Sequence, residues 1–210
     1  MTMFRGGGPR TRRLVRFLKL REASPARDRP SMDCHHFPGL FHKQGVVFTD
    51  TADFTLRTAR DGILHFLMVF DRLVRAADPE VRRGGGSIVK VEGDSLLLRF
   101  PDAPAACRGV DIIEAALRRL NRGRPENEKL RFSYGVGYGD ILDLEGDLFG
   151  LEVNLASKLG EDLAKPGEAL LTPAAAAALD SRTLRRVLPY TVVTFGKRAI
   201  PVQQLKAKRR

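Results

Sequence analysis

Residues 87–100, SIVKVEGDSLLLRF, decide how this chain folds. Two short β-type runs flank Glu92-Gly93-Asp94, a turn signal, so the stretch reads as a β-hairpin. Working outward, the N-terminal side holds a helical pattern over about 56–77. There Ile63, Phe66, Leu67, Phe70, Leu73 and Val74 recur at three- and four-residue spacing. Before it, VVFTDTADFT (46–55) opens on an apolar run that predicts a strand over 45–50. On the C-terminal side, Val110, Ile113, Leu117 and Leu120 mark a helix over 102–121, and a strand follows at 130–137. The order β-α-β-β-α-β is the ferredoxin-like split pattern, an α+β core whose sheet carries its helices on one face. A helix over 150–164, a strand in EALLT, a short helix in PAAAAAL and strands in PYTVVTF and IPVQQL extend that core toward the C-terminus.

The chain has 210 residues, 43% hydrophobic and 29% charged, which suits one ordinary domain plus tails. No apolar run is long enough to span a bilayer, and the basic, interrupted N-terminus does not read as a secretory signal. With two cysteines, the expected location is the cytoplasm. The formal charge of +11 sits at the ends: +7 over residues 1–44 and +6 over 197–210 leave the middle close to neutral. A nucleic-acid reader would carry its basic stripe on the domain itself, so specific nucleic-acid binding is not expected. Residues 1–44 read as a flexible basic extension, 45–205 as the domain and 206–210 as a basic tail. Within the extension, RRLVRFLKLRE can form an amphipathic helix that meets an anionic membrane surface or a protein partner.

In this topology the first strand lies beside the hairpin, so Asp50 at its end can face Asp94 at the turn. A carboxylate ending a buried strand must be paired, metal-bound or exposed. Two at close range repel unless a cation lies between them, and all-oxygen ligands suit Mg²⁺ or Mn²⁺. The competing reading is two unrelated acids that terminate strands.

VVFTDTADFT, IVKVEGDSLLLRF, YGVGYG (134–139) and GLEVNLASKL (150–159), in this order, resemble the catalytic homology domain of class III adenylate and guanylate cyclases. The resemblance implies that Asp50 and Asp94, with the Thr51 carbonyl, hold two Mg²⁺ or Mn²⁺ ions per site. It implies that Lys90 and Asp147 contact the purine. A lysine that donates to N1 and a carboxylate that accepts from the 6-amino group fit adenine rather than guanine. Asn154 would position the ribose, Lys158 would stand at the transition-state arginine, and Lys197 would hold the terminal phosphates. The backbone at Phe54 and Thr55, at a helix start, would meet the triphosphate. The implied activity is conversion of ATP to cyclic AMP and pyrophosphate. The site would be shared by a head-to-tail homodimer, one subunit giving Asp50, Asp94 and Lys90, the other Asp147, Asn154 and Lys158.

Four positions depart from the pattern. Lys158 keeps the charge of arginine but not its planar fork. Asp53 replaces a glycine in the triphosphate loop, where its carboxylate either repels phosphate or caps the following helix. Gly137 stands where the family has histidine. The segment DILDLEG before Asp147 is shorter than the family's dimerising hairpin. These departures leave a second reading open, a weak or silent cyclase-like module that binds nucleotide or a signalling partner.

Overall fold

The computed structural model describes residues 8–36, 41–195 and 198–208. The strand-helix order follows the sequence. β1 (Phe41–Thr51) leads through α3 (Phe54–Asp61) and α4 (Ile63–Arg83) to the hairpin β2 (Ser87–Glu92) and β3 (Ser95–Phe100). α5 (Ala103–Asn121) returns the chain to β4 (Phe132–Leu144). The sheet runs β2-β3-β1-β4 through this core, every neighbouring pair antiparallel, as the ferredoxin-like pattern requires. β6 (Ala169–Leu171) then pairs parallel to β4, and β8 (Arg198–Leu205) and β7 (Val187–Phe195) complete the edge. β5 (Asp147–Phe149) folds back on the end of β4. The remaining helices are α1 (Pro9–Ala23), α2 (Arg29–His36), α6 (Leu151–Lys158), α7 (Pro173–Ala177) and α8 (Ser181–Leu184).

Alternation along the strands sorts the two faces. Val47, Leu96, Leu98, Phe100, Phe132, Tyr134 and Val136 join Phe66, Phe70, Leu73, Val110 and Ile113 of α4 and α5 in the main core. Their neighbours Val46 and Leu97 point the other way, onto Val153 and Ala156 of α6. The helices of the core therefore lie on one face, and α6 covers the opposite one. Gly135 and Gly137 make that second layer thin. A Cβ at Gly135 would fall 1.8 Å from the Ala156 carbonyl oxygen, and one at Gly137 would fall 2.5 Å from that of Glu152. Glycine at 137, where the resembled family has histidine, is thus required by the approach of α6. Glu152 fixes the same helix, accepting from the Tyr138 N–H at 3.2 Å and the Thr172 hydroxyl at 2.6 Å.

The structure departs from the sequence reading in several places. The helix expected over 56–77 is two helices, broken at Gly62, whose φ of 87° and ψ of 151° are not helical. The helix expected over 150–164 ends at Lys158 and continues as a π-helical turn over Leu159–Leu163. β4 runs past 137 to Leu144, so DILDLEG forms part of a hairpin of its own. The region read as a flexible extension carries α1 and α2, and Leu14 and Phe17 of α1 are buried against Leu144. Among the described residues, no helix is long and apolar enough to cross a membrane.

Candidate active site

Asp50 and Asp94 meet where the end of β1 passes the β2–β3 turn. Strand parity places Asp50 on the α6 face, two residues beyond Phe48 and four beyond Val46. Two threonines fasten the corner beyond the ladder. The Thr49 hydroxyl accepts the Leu96 N–H at 3.0 Å, and the buried Thr51 hydroxyl donates to the Asp94 carbonyl at 2.6 Å. Both carboxylates line one cleft of about 450 Å³, together with Glu92, Asp147, Asn154, Ser157 and Glu161.

The electrostatics of the pair are unfavourable as they stand. Burial, then the Asp94 and Glu161 carboxylates, push the Asp50 carboxyl up to about 6. Burial also raises Asp94, against hydrogen bonds from its own N–H and that of Thr51, which lower it. A cation between them would relieve both. Among the described residues no group of three or more His, Cys, Asp or Glu forms a ligand cluster. Two carboxylates and room for water and substrate oxygens are an all-oxygen donor set that fits Mg²⁺ or Mn²⁺ better than a soft metal.

Lys90 reaches Glu92 and Asp147, which line that cleft, through an irregularity. Ser87 and Ile88 pair with Arg99 and Leu98, but the register then slips so that Lys90 pairs with Leu97. Unbroken pairing would set Lys90 opposite Leu96, on the buried helix face. The bulge turns it onto the α6 face instead. There its ammonium lies 2.9 Å from Glu92 Oε2 and 3.1 Å from Asp147 Oδ2, contacts that raise its pKa. Lys90 and Asp147 are therefore one unit of one chain, because the end of β2 lies beside β5. This corrects the expected division, which placed them on different subunits.

The other residues divide into four groups. Asn154 lines the cleft with Asp50 and Asp94. Lys158 does not: it pairs with Asp162 at 2.8 Å and lines a separate groove with Val193, Thr194 and Phe195. Lys197 lies outside the described residues. Phe54 turns its ring into the core against Phe66, centroids 4.8 Å apart, while Thr55 is exposed in the first turn of α3. At that helix start the first-turn N–H groups have no intrahelical acceptor. Asp53 occupies the N-cap position but makes no capping bond with its side chain. It is the one non-glycine residue with positive φ among the described residues, at φ 61°. A glycine would sit there without strain.

Glu92 and Glu161 were not anticipated. Glu161 had a signal: with Asn154 and Ser157 it repeats at three- and four-residue spacing, which puts all three on one helical face. Its own carboxyl is raised by burial and by Asp162, opposed by a hydrogen bond to Ser157.

Comparison with known proteins bears on this arrangement. No family model matches the chain. A Rhizobium meliloti (strain 1021) protein named "Putative adenylate cyclase 3" is 30% identical over 122 residues, 58% of this chain and 21% of that protein. The chain thus spans about a fifth of that relative's length. The crystal structure of an adenylate/guanylate cyclase/hydrolase from Silicibacter pomeroyi aligns with a TM-score of 0.65 at 26% identity, covering 80% of this chain and 98% of that one. The guanylate cyclase domain of Catenaria anguillulae in complex with GTP aligns at 0.66 and 18% identity, covering 80% and 97%. This chain has the fold of class III adenylate/guanylate cyclase domains.

Proposed function

We propose that this chain is a class III nucleotide cyclase that converts ATP to cyclic AMP and pyrophosphate. The observation that carries the reading is that one chain brings Asp50 together with Asp94 and, as a separate unit, Lys90 together with Asp147, so that both halves of such a site are present. The two elements have the chemistry that a nucleoside triphosphate presents, phosphate-bound cation and purine edge. Lys90 donates to adenine N1 and Asp147 accepts from the 6-amino group. Guanine offers a protonated N1 and a carbonyl there and fits the pair poorly. Asn154 orients the ribose so that its 3′-oxygen lies in line with the α-phosphorus. Asp50, Asp94 and the Thr51 carbonyl would hold Mg²⁺ or Mn²⁺, which when bound supplies a lowered pKa at the 3′-hydroxyl and charge neutralisation at the phosphates. The first-turn N–H groups at Phe54 and Thr55 add positive potential for the triphosphate.

The reading includes a head-to-tail homodimer with two equivalent sites. In it the Lys90–Asp147 unit, Asn154 and Lys158 of one copy meet the nucleotide carried by Asp50 and Asp94 of the other. The turn of Lys158 toward a groove without those carboxylates supports this division.

The test is incubation of the purified chain with each of the four nucleoside triphosphates and Mg²⁺ or Mn²⁺, with products read by mass spectrometry. Cyclic AMP from the wild type but not from Asp94→Ala is expected. Cyclic GMP as the main product would overturn the role given to Lys90 and Asp147. No cyclic product from a dimeric sample would leave a silent nucleotide-binding module.

A further inference from the structure

α1 begins against the hairpin that carries Asp147. The Glu145-Gly146 turn joins β4 to β5, and Asp147, the first residue of β5, lies opposite Leu144. Across the gap, Glu145 Oε1 accepts the Arg10 N–H at 2.6 Å. Its other oxygen accepts the Thr11 N–H at 3.1 Å and the Thr11 hydroxyl at 2.7 Å. These are first-turn donors of a helix whose own N-cap residue, Gly8, offers no side-chain acceptor. A Cβ at Gly8 would fall 2.7 Å from the Glu145 carboxyl carbon, so glycine leaves the room that the carboxylate fills. The bonds hold the Glu145 carboxyl down at about 2.

The contact continues along the hairpin. The Arg10 guanidinium lies 3.3 Å from Asp143, which also pairs with Arg99 of β3. Leu14 and Phe17 bury against Leu144, with Met32, Leu142 and Phe149 at the margin of the same cluster. α1 thus touches both strands of the hairpin and its turn.

That support acts where the sheet provides least. β5 is three residues long and, among the described strands, pairs only with β4, while β2 pairs only with β3. Short, two-stranded edges are marginal on their own. The Lys90–Asp147 contact joins these two edges. We propose that Glu145 and α1 form the positioning element for Asp147, holding the β4–β5 hairpin so that this carboxylate stays at Lys90. Its consequence for ATP over GTP rests on the purine role proposed above. Glu145 acts through Asp147 and is a positioning residue.

The experiment uses the full chain with Glu145→Ala, Glu145→Gln and Leu14→Ala, each first shown to be folded by its melting transition. Two measurements need no nucleotide: hydrogen exchange over residues 141–149, and acetylation of the Lys90 amine, read by mass spectrometry with Asp147→Asn as the reference for a lysine that has lost Asp147 and keeps Glu92. Loss of a helix cap of this kind is expected to raise hairpin exchange roughly fivefold in Glu145→Ala. Lys90 labelling should rise toward the reference. Leu14→Ala should act in the same direction, and Glu145→Gln, which keeps an acceptor oxygen, should restore most of the protection. Unchanged exchange and labelling in folded Glu145→Ala and Leu14→Ala overturn the proposal, whatever the protein does with nucleotides. A third measurement, binding of ATP against GTP, should show narrowed discrimination in Glu145→Ala. If hairpin and lysine respond while the wild type binds neither nucleotide, the positioning role stands and the purine reading falls.

Discussion

Replacing Asp50 with asparagine should stabilise the cation-free protein at neutral pH and remove its response to Mg²⁺. Burial and the neighbouring carboxylates move the Asp50 carboxyl from 3.8 to about 6 in the folded chain. A group whose folded pKa is raised binds its proton more tightly in the native state. Stability therefore falls as pH rises from about 4 to about 6, and the whole penalty is present above that range. Converted in full, that interval is worth roughly 3 kcal/mol. Asp50 is partly open to solvent, so screening leaves about 1–2 kcal/mol. For a chain of this size that corresponds to roughly 2–8 °C in melting temperature. The assay is thermal melting of wild type and Asp50→Asn at pH 4.5 and 7.5, in EDTA and in Mg²⁺ or Mn²⁺. The variant should melt higher at pH 7.5 in EDTA, the gap should narrow to about a third at pH 4.5, and added cation should raise only the wild type. A variant less stable than the wild type at pH 7.5 in EDTA would refute the idea that Asp50 is held in an unfavourable, cation-seeking position.

Three further perturbations probe the same corner. Asp53→Gly removes a left-handed non-glycine residue, so it should stabilise the fold by about 1 kcal/mol in urea titration. It should also tighten binding of a non-cyclising ATP analogue, because a carboxylate leaves the start of α3. Gly135→Ala drives a Cβ into the Ala156 carbonyl and should cost about 3 kcal/mol or more by the same titration, with loss of nucleotide binding as α6 is displaced. Lys158→Arg restores a planar fork at the phosphates and should raise turnover several-fold with little change in melting temperature. Unchanged turnover would place Lys158 outside the reaction.

Much of this architecture is legible in the residues, and the illegible parts have definite causes. The hairpin at 87–100 shows because Gly93 supplies the positive φ of its turn. The break at Gly62 does not show, since apolar periodicity continues from Ile63 and a lone glycine in a helical pattern reads only as a local cost. The bulge that turns Lys90 toward Asp147 leaves no mark in the letters. Alternation alone shows Lys90 between apolar neighbours but not which face it takes. Asp50 and Asp94 could be placed together from topology, whereas Asp147 and Asn154 entered only through the resemblance, and the Lys90–Asp147 contact within one chain depends on how β5 folds back. The helix α1 was legible as the amphipathic RRLVRFLKLRE, but the surface it docks on was not. Its buried stripe is only Thr11, Leu14 and Phe17, and the acceptor for its first turn, Glu145, lies more than 130 residues away. No local pattern reports such a partner.

The most direct measurement follows the fate of ATP itself. The full chain is given ATP and Mn²⁺, and all products are quantified together by chromatography and phosphorus NMR. Cyclic AMP and pyrophosphate rising in equal amounts is the predicted result, since the 3′-oxygen displaces pyrophosphate within one molecule. ADP with inorganic phosphate, or intact ATP after prolonged incubation of a dimeric sample, would contradict it.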